Sequence, residues 1–169
     1  MIVYRINDFV TKMLMIFSAM WAFALAFYIL ADVVARNINM PIEGTAEIAR
    51  DSIVTIVFLQ IAYCVHIRGM LRADFFVNMF PAGLQKFFTL IGFLFGIAFF
   101  AGIFAGAFDP AIDAWNTGEY EGAGALQVPV WPARFAILIG CALASFSYLL
   151  AAIKLFIDPD DAAGQPDVA

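Results

Sequence analysis

Four apolar runs, at about 13–35, 48–67, 87–108 and 133–157, constrain this chain more than any other feature. A helix rises 1.5 Å per residue, so roughly twenty apolar residues cross a hydrocarbon core about 30 Å thick. Hydrocarbon offers no hydrogen-bond partner to an open backbone, so each run is expected to cross as a helix. The alternating segments of a membrane β-barrel are absent. The expected fold is therefore an all-α integral membrane protein with four transmembrane helices, forming one domain over 1–157. Composition points the same way: 64% of the residues are hydrophobic and 19 are Phe, where soluble domains average about 45–50% apolar. The run beginning at Met13 is longer than the apolar core of a signal peptide, so it is expected to remain as the first span.

Lys and Arg near the span ends set the orientation. With the N-terminus inside, Arg5, Lys12, Arg68, Arg72, Lys86 and Lys154 lie on the inner side and Arg36, Arg50 and Arg134 on the outer. Both termini are thus expected in the cytoplasm. Between the second and third spans, LRADFFVNMFP places Leu71, Phe75 and Met79 at helical spacing, with Arg72, Asp74 and Asn78 at other positions. It reads as a short amphipathic helix lying in the membrane interface and stopped by Pro81. The segment 109–129, which contains Pro110, Gly122, Gly124 and Pro129, reads as a long outer loop. Trp115 and Trp131 suit the headgroup layer as anchors, and Pro132 suits a first helical turn. The acidic tail 158–169 lacks apolar content and is expected to be disordered.

Charge and composition exclude several functions. A net charge of −5 leaves no basic stripe for nucleic acid. There is no phosphate loop, nucleophile elbow or deep carboxylate pair, so neither enzymatic activity nor a bound cofactor is expected. A metal or haem site is not expected either: His66 is the only histidine and reads as a polar interface residue, while Cys64 and Cys141 sit inside apolar runs as small core residues.

The polar residues that remain gather at the span ends. Asp32 and Arg36, four apart, can pair across one turn. Glu43, Glu47 and Asp51 surround the start of the second span, where Thr45 is a plausible N-cap and Arg50 can pair with one of the acids. This group reads as capping and anchoring, as a docking surface for another membrane subunit, or as both. Gln60, at mid-depth in the second span, is of the type that bonds to another helix. Gly92, Gly96, Gly102 and Gly106 fall on one stripe of the third span. Small residues there let a neighbour approach closely, by default the neighbour in the same chain and otherwise a partner.

Several segments together resemble a known family. Arg36, then Pro41-Ile42-Glu43-Gly44-Thr45-Ala46-Glu47 leading into Val57-Phe58-Leu59 and Ala62-Tyr63, is similar to the small permease subunit of TRAP (tripartite ATP-independent periplasmic) transporters. So are Gly69-Met70-Leu71-Arg72-Ala73-Asp74, where Met70 stands in place of a frequent histidine, and Leu126-Gln127-Val128-Pro129-Val130-Trp131-Pro132. The resemblance covers about 10–157. It implies a scaffold in the bacterial inner membrane, bound to a large permease subunit and surrounded by the lipid bilayer. The large subunit would carry the sodium-coupled uptake of a carboxylate delivered by a periplasmic substrate-binding protein. On that reading Arg36, Glu43, Glu47, Arg50, Gln60, Arg72 and Asp74 form the subunit interface. Two alternatives are a membrane anchor of a respiratory enzyme, which needs haem or quinone binding, and a small exporter acting as an oligomer, which needs an essential mid-depth carboxylate.

Overall fold

The computed structural model describes residues 2–67, 82–122 and 127–157. Four helices carry the architecture: α1 over Ile2–Asn37, α2 over Thr45–His66, α3 over Ala82–Thr117 and α4 over Trp131–Ile157. All four are long and apolar enough to span a membrane. Two short strands, β1 over Tyr120–Glu121 and β2 over Val128–Pro129, pair antiparallel between α3 and α4. The expected interfacial helix around 71–80 and the tail 158–169 lie outside the described residues.

The helices exceed the apolar runs. α3 continues through Pro110 to Thr117, so the expected outer loop from 109 shrinks to a tight ribbon. Proline removes one helical hydrogen bond and crowds the carbonyl four residues back, which here belongs to Gly106. The Pro110 carbonyl is used elsewhere: it accepts from Arg134 Nη1 at 2.7 Å. That bond ties the end of α3 to the start of α4.

The helices form an open row and not a closed bundle. α1 packs on α2, α2 on α4 and α4 on α3, while α1 barely touches α4. Chain order 1-2-3-4 becomes spatial order 1-2-4-3. In the most apolar stretch of α4, 44% of the residues are buried within the chain, against 11% in α1 and in α3. α4 is central because its seams are lined with small residues. Ala133, Ala136, Cys141, Ala144, Ser147 and Ala151 are buried, and Gly140 lies so close to α2 that an added Cβ would collide with the Phe58 carbonyl. On the other side of α4, Tyr148 stacks on Phe100 with ring centroids 6.0 Å apart. A Cβ at Gly96 would lie 2.8 Å from that ring. No Cβ placed at Gly92, Gly102 or Gly106 meets anything within 4 Å. The close-packing stripe of this chain therefore runs along α4, and of the α3 glycines only Gly96 belongs to a seam.

The α1–α2 seam is polar where it is most buried. Thr11 and Ser18 are fully enclosed, and with Leu25 and Asp32 they recur every seven residues. On α2, Thr45, Ser52, Leu59 and His66 do the same. A seven-residue repeat holds one face of a helix against its partner in a shallow left-handed crossing. The buried hydroxyls of α1 bond to backbone nearby, Thr11 Oγ1 to Asn7 O at 2.8 Å and Ser18 Oγ to Met15 O at 2.9 Å. Small side chains let α1 and α2 approach closely. Phe9, Phe23 and Phe27 of α1 point away and are all more than half exposed.

The row is also sheared along its axes. Asn7, His66 and Ser147 meet at one level, and Trp21, Asp51 and Pro132 line a common cavity at another. From that second level α1 runs on to Asn37, about 24 Å further out, where α4 has only begun. At the other end, α4 continues about 15 Å past Ser147. A bilayer of constant thickness takes up such a shear when the helices lean from the normal, as spans generally do by about 20°.

Candidate subunit-docking site

The connection between α1 and α2 is built around Asp32, a buried carboxylate. Its Oδ2 accepts from Arg36 Nε at 2.8 Å, one turn along the helix, as the spacing leads one to expect. Its Oδ1 accepts from the Ile42 backbone N–H at 2.9 Å, so one side chain closes the whole turn. α1 ends with Asn39 in the left-handed region (φ 57°). Asn39 N bonds to Arg36 O at 3.1 Å and Met40 N to Ala35 O at 3.0 Å, the paired bonds that terminate a helix on a left-handed residue. Thr45 is not the N-cap. Gly44 occupies that position at φ 78°, with no side-chain cap bond, and Thr45 Oγ1 donates to Ile42 O at 2.9 Å.

Arg50 does not pair with its acidic neighbours on α2. It reaches across to Glu121 Oε2 on β1 at 3.1 Å. Arg134 does the same for α4, with Nη1 2.9 Å and Nη2 3.0 Å from the Glu119 carboxylate. These two arginines clamp the β-ribbon onto the N-terminal ends of α2 and α4, a use that residue spacing alone does not disclose. Glu43 is exposed and Glu47 half-buried, and neither has an ion-pair partner among the described residues. Gln60 is half-buried on α2 without a hydrogen bond to another described residue. Arg72 and Asp74 lie outside the described residues.

Trp115 and Trp131 are not two separate anchors. Their ring centroids lie 5.0 Å apart, edge to face, and Phe135 adds a third ring 6.0 Å from Trp115. The cluster fastens the C-terminal end of α3 to the first turn of α4 while leaving Trp115 58% exposed. Such amphipathic rings suit the headgroup layer.

A second polar centre lies near the opposite ends of α1 and α2, and residue spacing pointed only to His66. Asn7 Nδ2 donates to His66 Nδ1 at 2.9 Å and to Ser147 Oγ at 3.1 Å, so one carboxamide joins α1, α2 and α4. With Nδ1 accepting, the ring proton sits on Nε2, which donates to Asp8 Oδ1 at 3.2 Å. Lys12 stands 3.8 Å from the same carboxylate. Asn7 is 3% exposed. The signal for it was the Asn7-Thr11-Ser18 face of α1, which reads as a seam only once the heptad partner on α2 is recognised. Among the described residues no three His, Cys, Asp or Glu side chains come together as a metal site. The chemistry of both centres is hydrogen bonding and charge pairing between helices, which holds shape.

Two of the cavities along α1 and α2 adjoin each other. The larger, about 360 Å³, lies among Phe17 and Trp21 of α1, Asp51 and Thr55 of α2, and Pro132 and Ala133 of α4. A smaller one, about 200 Å³, shares Trp21, Ile48 and Ser52 with it and continues to Tyr28.

Residues 25–158 match the family model described as Tripartite ATP-independent periplasmic transporters, DctQ component. No curated protein and no solved structure matches the chain.

Proposed function

Because the chain belongs to the DctQ family, the small membrane component of tripartite ATP-independent periplasmic transporters, we propose that it is the fixed scaffold of such a system. It binds the large permease subunit and gives that subunit's moving part an immobile reference. The solute is a carboxylate, its uptake is coupled to sodium in the large subunit, and a periplasmic protein delivers it. Both termini face the cytoplasm, which puts the β-ribbon and the α1–α2 turn on the side where the periplasmic protein lands.

The observation that carries this reading is the open row. Two of its four helices, α1 and α3, bury only 11% of their most apolar stretch within the chain. The buried polar side chains Asn7, Thr11, Ser18 and Asp32 are engaged in bonds inside the chain. A slab with internal polar fasteners and broad apolar faces suits a part that lies against a larger membrane protein.

The test is solute uptake in cells or proteoliposomes holding the large subunit and its binding protein, with and without this chain. Uptake is expected to disappear without it and to return when it is supplied. Undiminished uptake in its absence overturns the reading. Orientation is checked separately by labelling single cysteines at Asn39 and Tyr4 with an impermeant maleimide from the periplasmic side; label at Asn39 alone is expected.

A further inference from the structure

We infer that the groove along α1 and α2 seats a helix of the large permease subunit, with a lysine or arginine of that helix bound to Asp51. The inference rests on the family reading above and gives it a specific contact.

Asp51 lines the larger cavity with Phe17, Trp21 and Pro132. Its Oδ2 is shielded from solvent and has no hydrogen-bond partner among the described residues. The two nearby guanidinium groups are already engaged, Arg50 with Glu121 and Arg134 with Glu119 and the Pro110 carbonyl. A buried carboxylate oxygen without a donor is costly, and such a group in a folded protein asks for its partner. Lipid acyl chains fill apolar grooves but donate nothing, so they leave the charge as it was. A second copy of this chain is a poor occupant as well. Lys12, Arg36, Arg50, Arg134 and Lys154 all have partners within the chain, so none of these five is free to serve a second copy. The occupant is then a different membrane protein with a basic side chain at that depth.

The shape of the site suits a helix. The two cavities share Trp21, Ile48 and Ser52 and together extend from Phe17 to Tyr28. That is about three turns along α1, or roughly 16 Å. The groove follows the α1–α2 seam, where small residues such as Ser52 keep the floor low. A ridge of side chains from a neighbouring helix fits it, and a long cationic side chain reaches the carboxylate while its methylenes pack on Phe17 and Trp21.

The experiment co-expresses this chain, carrying p-benzoyl-phenylalanine at Phe17, with the large permease subunit of the same system. After illumination, the cross-linked peptide is identified by mass spectrometry. It is expected to come from a membrane helix of the large subunit with a Lys or Arg within about one turn. Asp51→Asn is expected to weaken the complex about tenfold or more, with no loss of thermal stability of the isolated chain. Asp51→Lys is expected to abolish the complex, and replacing the identified basic residue with Glu to restore it. Cross-links to lipid or to a second copy alone, or full recovery of the complex with both variants, overturn the inference. If the unaltered chain fails to bind the large subunit at all, the scaffold reading falls with it. If it binds but Asp51 has no effect, only the groove assignment falls.

Discussion

Replacing Gly140 by Ala adds one methyl group at the tightest point of the α2–α4 seam. The new Cβ would collide with the Phe58 carbonyl and stand 3.0 Å from the Phe58 Cβ. Backbone cannot rotate aside as a flexible side chain can, so the two helices must separate. A gap of roughly 0.5–1 Å forfeits a quarter to a half of each dispersion contact across it. The contacts at stake join Phe58, Ile61 and Val65 to Cys141 and Ala144. Overpacking of this kind costs about 1–3 kcal/mol, and the gain from exchanging Gly for Ala within a helix offsets about 0.5–1 kcal/mol of it. The net expectation is a loss of about 1–2 kcal/mol. Gly102→Ala makes the same chemical change where nothing lies within 4 Å, so only the helix gain of about 0.5–1 kcal/mol applies. Reversible unfolding in mixed detergent–SDS micelles, followed by circular dichroism, should separate the two variants by about 2 kcal/mol with opposite signs. Equal shifts, or a more stable Gly140→Ala, would refute the assignment of α4 as the close-packed helix.

Other expectations follow from the same contacts. Asn7→Leu removes the carboxamide that joins His66 and Ser147 and should cost about 1–3 kcal/mol in the same unfolding assay; a change below about 0.5 kcal/mol would mean the three-helix junction contributes little. The Arg50–Glu121 pair is largely exposed on the arginine side, so a double-mutant cycle should give a coupling energy below about 1 kcal/mol that shrinks with added salt; a larger, salt-independent value would place the pair out of water. Cys64 is exposed and Cys141 buried, so N-ethylmaleimide in mild detergent should modify Cys64 and spare Cys141 until the protein is unfolded, as read by intact mass.

The helices themselves were legible as sequence. Apolar length alone marks four spans, because the bilayer sets one requirement that each helix meets by itself. The Asp32–Arg36 pair was legible too, since it depends on spacing within one helix. The Arg50 and Arg134 pairs were not, because their partners Glu121 and Glu119 come from a ribbon whose fold is set by the closing of α3 on α4. Nor was the junction at Asn7, which exists only when α1, α2 and α4 meet at one level.

The glycines show where the limit falls. A stripe of small residues states that a helix is able to be approached, and both α3 and α4 carry one. In lipid no hydrophobic force ranks the candidate pairings, so the choice falls to contact packing over the whole row. Tyr148 takes the notch at Gly96, Phe58 takes Gly140, and the rest of the α3 stripe is left open. The sequence by itself determined that four segments are long and apolar enough to cross a membrane as helices, since that depends on each segment's own transfer into hydrocarbon. Only the tertiary structure decided that the spans form an open row with α4 inside, and that Asp51 Oδ2 has no hydrogen-bond partner among the described residues.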